Sequence, residues 1–173
     1  MPATEDLKQK ILAYIEEHPS AMTSQIARTL DVPEVEILRA QEGQSCCELR
    51  AEEFQDIVRA FEHKGKCHVF CTNRYAVLEA FGEFGGFSVT GPFFNVQTDT
   101  IDMHIRYEGV DSIFCLEKLG HFDHQPTYSE QFYSPEGDAV FKVFLSRPGP
   151  DEGYQQTQLD GYQKIKSEYR LDQ

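Results

Sequence analysis

The sequence predicts an α+β fold, with a helical N-terminal region, a large antiparallel sheet and one C-terminal helix. Three observations carry this. Apolar residues recur three or four apart up to about residue 65, then alternate or run in short blocks as far as Leu145. Turn signals punctuate those blocks at short spacing, with no helical stretch between them, which implies antiparallel meanders. Helical periodicity returns only after Arg147-Pro148-Gly149-Pro150. The chain therefore divides into residues 1–65, helical, and residues 66–173, sheet plus closing helix.

Leu7, Ile11 and Ile15 lie four apart and begin a first helix. Thr4 can cap it, Glu5 and Asp6 favour its first turn, and His18-Pro19 ends it. In TSQIARTLDVPEVEILRAQ, Ile26, Ala27 and Leu30 form one short face. Val32-Pro33 makes a turn, and Val35 and Leu38 begin another face. This is a helix-turn-helix layout, with Pro33 suited to a first helical position. AEEFQDIVRAFEHKG gives a further helix, with Phe54, Ile57, Val58 and Phe61 inward and Gly65 as its stop.

Strands are predicted at Val69–Cys71, Ala76–Ala80, the Phe87–Val96 region, Ile101–Tyr107, Ser112–Leu116, Tyr128–Tyr133 and Ala139–Leu145. The closing helix carries Leu159, Tyr162, Ile165 and Tyr169 on one stripe. No internal repeat or low-complexity segment interrupts the pattern.

Forty per cent hydrophobic residues over 173 positions suffice for a core without disulfides or metals. The N-terminus lacks a basic segment followed by an apolar one, and no apolar run approaches eighteen residues. The expectation is a cytoplasmic protein with no membrane span. Cys46, Cys47, Cys67, Cys71 and Cys115 are an odd, scattered set and read as reduced thiols. Cys67-x3-Cys71 has no second paired cluster to complete a zinc site.

A net charge of −13 opposes nucleic acid and anionic membrane as partners. Residues 1–65 hold seven Lys and Arg against thirteen Asp and Glu, and the would-be recognition helix sets Glu34 and Glu36 against Arg39. A DNA reader must neutralise phosphates, so no nucleic-acid binding is expected.

Candidate chemistry falls to the histidines, because no nucleophilic triad, phosphate loop or complete metal motif occurs. His18 and His63 read as solvated surface, and His68 starts a strand. His121 and His124 share a loop and could supply ligands. His104 differs, because alternation fixes its direction. Ile101, Met103, Ile105 and Tyr107 take one side of the strand, and Asp102, His104 and Arg106 the other. The apolar side faces the core, so His104 stands on the opposite face.

Three segments carry a resemblance: GPFFNV (Gly91–Val96), MHIRYEGVDSIFCLEK (Met103–Lys118) and FYSPEGDAVFKVFLSRPG (Phe132–Gly149). They resemble the G-aromatic-aromatic-Asn-apolar, G-H-I/L-K/R-x-E-N and F-F-x-x-x-G-x-A-x-F-K-I-F-L-G-R-D stretches of the ChuX/HutX family of cytosolic haem-utilisation carriers. The resemblance implies a split-barrel-like antiparallel fold, a homodimer, and a protein that holds haem and passes it to a haem-accepting partner. It places the strand histidine that some members turn toward haem on His104. Another histidine used in the family falls near Thr72, four residues from His68, and the first aromatic of the motif, often Tyr, is Phe93 here.

On that reading His104 ligates haem iron and Arg106 pairs with a propionate. Phe87, Phe93 and Phe94 offer flat apolar contact, and His121 and His124 are the rival ligand source. The leading expectation is a carrier involved in haem utilisation and iron acquisition, not an enzyme. A haem-degrading or flavin-type split-barrel oxidoreductase is the alternative, although no flavin-binding phosphate cradle is evident. Transcriptional regulation ranks third.

Overall fold

A computed structural model describes residues 4–43, 45–62, 65–73, 75–149 and 152–171. His63 and Pro150, used above as a surface residue and as part of a sheet break, lie outside the described residues.

Three N-terminal helices form as the periodicity predicts. Helix α1 spans Glu5–Glu17, with Thr4 at its N-cap, extended in backbone and making no side-chain capping bond. Helix α2 spans Thr23–Leu30 and ends on Asp31 in the left-handed region (φ 55°). Helix α3 spans Glu34–Ala40, with Pro33 at the N-cap and not inside the first turn. The next predicted helix is shorter than expected: a 3-10 turn at Ala51–Glu53 leads into α4, Phe54–Arg59. Phe61 follows α4 yet is buried, so the inward face continues past the helix.

The first 65 residues are not wholly helical. Cys46–Leu49 forms β1, antiparallel to β7 (Ser112–Leu119). CCEL carries no alternating or β-branched signal, and its strand state comes from that distant partner. The remaining strands are β2 Lys66–Thr72, β3 Val77–Glu83, β4 Phe87–Thr90, β5 Phe93–Gln97, β6 Asp102–Ile105, β8 Pro126–Tyr133 and β9 Ala139–Leu145. Helix α5 spans Gln156–Glu168. The expected single Phe87–Val96 region is a hairpin, β4 and β5, turning at Gly91 (φ 57°) and Pro92.

Among the described residues the strands build two sheets and no closed barrel: a six-stranded one ordered β1-β7-β8-β9-β2-β3, and a three-stranded one ordered β4-β5-β6. All named strand pairs are antiparallel. Both faces of the six-stranded sheet are covered over β7. Ile113 and Cys115 point into the larger core, Phe114 and Leu116 into a second one beneath α1–α3. A strand buried on both sides loses its polar alternation, which is why SIFCL reads as a continuous apolar run.

The larger core gathers α4, α5, the three-stranded sheet and one face of the six-stranded sheet. Phe54 sits at its centre, with ring centroids 5.6 Å from Phe94, 5.7 Å from Phe132 and 5.9 Å from Tyr107. Phe132 and Phe141 stack at 4.0 Å. On the other face, Lys142 Nζ reaches from β9 to Thr23 Oγ1 (3.1 Å) and the Glu34 carboxylate, tying α2 and α3 to the sheet.

Gly86 positions the small sheet. It joins β3 to β4 with φ 63°, and a Cβ there would lie 2.0 Å from the backbone oxygen of Gln97. Only glycine allows this close pass beside the end of β5.

Candidate functional site

The three-stranded sheet has one face in the core and one in solvent, and strand period divides the candidate residues between them. On β6, Ile105 is buried and Met103 half-buried, while Asp102 and His104 are exposed, as the alternation predicts. On β5, Phe94 and Val96 point inward. Phe93, Asn95 and Gln97 therefore point outward. Register places Ser88, Asn95 and His104 in one row across the three strands.

That outer row is hydrogen-bonded. His104 Nδ1 lies 2.7 Å from Asn95 Oδ1. Asn95 Nδ2 donates to Ser88 Oγ (3.1 Å) and Thr90 Oγ1 (3.4 Å). His104 Nε2 lies 3.5 Å from Asp102 Oδ1, and the side chains of both are more than half exposed. The Phe93 ring meets the imidazole edge-on at 6.4 Å. Asn95 is only 5 % exposed, although it lies on the outer face. Arg106 follows β6 at the start of a 3-10 turn and is exposed. Its guanidinium makes no ion pair or hydrogen bond among the described residues.

The three phenylalanines named above do not share a face. Phe93 lies beside His104, whereas Phe94 is 0 % exposed and packed against Phe54 and Phe87. Phe87 packs against the larger core, with its ring also against Phe84. Consecutive strand residues point oppositely, so Phe93 and Phe94 cannot both meet a ligand on one face.

His121 and His124 are exposed in the β7–β8 loop, at an end of the six-stranded sheet, with His124 in the left-handed region (φ 53°). His68 is engaged elsewhere: Nε2 is 2.8 Å from Glu79 Oε2, and its ring stacks on Phe81 at 3.7 Å. Burial lowers the His68 pKa, and Glu79 partly offsets this. Among the described residues no group of three or more His, Cys, Asp or Glu side chains is placed to hold a metal ion.

Sequence reasoning missed Asn95. An amide inside an apolar strand was the available signal, but its role needs the β5–β6 register. Two concavities lie away from this face. One of about 180 Å³ is lined by Ile15, His18 and Lys118, the other of about 510 Å³ by Asp123, Tyr128 and Arg147.

Comparison with known proteins adds a family and a fold. A family model described as the haemin-degrading HemS.ChuX domain matches residues 31–169. The intracellular heme transport protein HutX of Vibrio cholerae is 20% identical over 145 residues, covering 83% of this chain and 74% of that protein. The crystal structure of the heme binding protein ChuX superposes with a TM-score of 0.79 at 18% identity, covering 91% of this chain and 97% of that one. The heme degrading enzyme ChuS of Escherichia coli O157:H7 gives a TM-score of 0.76 at 21% identity. There the match covers 94% of this chain but 46% of ChuS, so this chain spans about half of that enzyme's length. At these identities the structural likeness shows a shared fold.

Proposed function

The chain belongs to the family of the haemin-degrading HemS.ChuX domain, and from that premise we propose that it binds haem on the outer face of its three-stranded sheet, as an intracellular carrier. The observation that carries this reading is the placement of His104. Its imidazole stands in solvent on a rigid strand, with Nδ1 engaged by Asn95 and Nε2 directed away from the core face.

The residues around it suit the cargo. Neutral imidazole is a good ligand for haem iron. Phe93 offers an apolar surface beside it, and the unengaged guanidinium of Arg106, just past the end of β6, can take a propionate through charge-assisted hydrogen bonds. Phe94 and Phe87 play no part in this face and serve the core. The face is open, and an open site lets a planar cargo slide off to a haem-accepting protein. Six of the seven residues of α3 are buried, so this helix packs against the sheet and offers little surface to a DNA groove. Among the described residues no helix is long and apolar enough to cross a membrane.

The second reading is haem degradation, favoured by the family's description and by the likeness to ChuS. Haem with a reductant separates the two, since only an enzyme forms biliverdin at catalytic rates. The primary test is a haemin titration followed at the Soret band. The carrier reading expects saturable one-to-one binding, with a Soret position that moves in His104→Ala. Binding unchanged in that variant, but altered in His121→Ala or His124→Ala, moves the site to the loop.

A further inference from the structure

The outer row of the small sheet contains more than a ligand candidate. Two oxygens compete for the His104 proton: the buried Asn95 Oδ1 at 2.7 Å from Nδ1, and the exposed Asp102 Oδ1 at 3.5 Å from Nε2. A neutral imidazole carries one N–H, and whichever acceptor holds it decides which nitrogen keeps a lone pair. Only the nitrogen without the proton can bind a metal.

We infer that Asn95 is a positioning residue that holds His104 in its Nδ1–H form and leaves Nε2 as the free donor nitrogen on the outer face. The inference rests on the haem reading for its purpose but not for its geometry. The Asn95 acceptor is closer than the carboxylate by 0.8 Å, the difference between 3.5 and 2.7 Å, and hydrogen bonds weaken over that range. The amide is nearly buried on a paired strand and cannot drift, whereas the Asp102 side chain is 67% exposed and shares its carboxylate with solvent and with Gln97 Nε2 at 3.4 Å. Ser88 and Thr90 on β4 accept from the amide NH2, which directs Oδ1 toward the imidazole. Three strands thus cooperate to orient one proton. A partner on the second nitrogen that fixes tautomer and ring angle is how proteins prepare metal-binding histidines.

This assignment can be read without haem. In protein carrying 15N-labelled histidine, long-range proton–nitrogen correlation spectra distinguish Nδ1–H from Nε2–H imidazoles, and His104→Gln identifies the resonance. At a pH where the ring is neutral, His104 is expected as the Nδ1–H form. Asn95→Leu, which removes the acceptor at similar volume, should shift it toward Nε2–H, and Asn95→Asp, which restores an acceptor, should return it. In haemin titrations Asn95→Leu should weaken binding by about 10–100-fold, as loss of such a partner typically does.

Wild-type His104 found as Nε2–H overturns the inference, whatever the variants do. An unchanged tautomer in a folded Asn95→Leu overturns it as well. If the tautomer behaves as stated but haemin binding ignores His104, the haem reading fails and the role of Asn95 stands. If haemin binds through His104 in the Nε2–H protein, the reverse holds.

Discussion

At the scale of single residues, adjacent positions on one strand have different tasks, and substitution separates them. Phe94→Ala empties a fully enclosed site beside Phe54 and should cost about 3–5 kcal/mol, the usual range for deleting a buried phenylalanine. Phe93→Ala should leave the melting temperature nearly unchanged while weakening haemin binding. Equal losses of stability, read by denaturant melts, would mean that the two rings do not divide between faces. His104→Ala should likewise alter stability by no more than about 0.5 kcal/mol, since its side chain faces solvent. Arg106→Ala should lower haemin affinity and leave the Soret position in place, because a propionate partner does not touch the metal.

Lys118 allows a different test at the same scale. Burial, with Lys142 nearby, lowers its pKa from 10.5 to about 8. Its ammonium donates to the backbone oxygen of Ala21, which joins β7 to the segment before α2. Between about pH 8 and 10.5 the unfolded chain therefore holds more protons than the folded one, and this group makes stability rise with pH. Below pH 8 both states are charged, and the cost of burying the ammonium is fully present. Buried cysteines and tyrosines with raised pKa values pull the other way in alkali, so the useful quantity is a difference. The wild type should gain on Lys118→Met as pH rises from 8 to 10. Parallel melting curves across that window would show that the Lys118 proton is not coupled to folding.

At the scale of elements, legibility followed how local each cause was. The Ile101–Tyr107 alternation was enough to orient His104, because strand geometry needs no partner to set which side a residue faces. The stripe on α5 and the blocks of β8 and β9 were readable for the same reason. Two elements were not. Cys46–Leu49 is a strand only because β7 pairs with it, and its own four residues carry no β signal. The Phe87–Val96 stretch reads as one apolar block unless Gly91-Pro92 is given the weight of a turn. That miss had a consequence, since it left Phe93, Phe94 and Asn95 without assigned faces. The hairpin's foundation is also testable. Gly86→Ala places a methyl against Gln97 O in a left-handed backbone, so about 1–3 kcal/mol of strain is expected. Hydrogen exchange should then accelerate first in β4–β6, and uniform acceleration would deny that sheet a local dependence on Gly86.

At the scale of the whole molecule, the two edges of the large sheet are treated differently. The β1 edge is closed by the chain's own end: Leu171 N–H donates to Glu48 O, Arg50 N–H donates to Tyr169 O, and Leu49 bridges Arg170. The β3 edge pairs with β2 on one side and with no strand on the other among the described residues. Val77, Leu78 and Phe81 on it are each about 60% exposed, and Tyr75 before it is 91% exposed. An open apolar edge is a template for pairing, and proteins that remain monomeric normally blunt it with charge, proline or a bulge. A two-fold axis at β3 would set this strand antiparallel to its own copy and bury both apolar rows, the self-complementary contact of a symmetric dimer. The expected species is therefore a homodimer. Light scattering at micromolar concentration should return twice the monomer mass, and Phe81→Lys, which places a charge on the open edge without touching either core, should return the monomer. A wild-type monomer would remove the dimer altogether. A Phe81→Lys dimer would keep the assembly and move its contact away from β3.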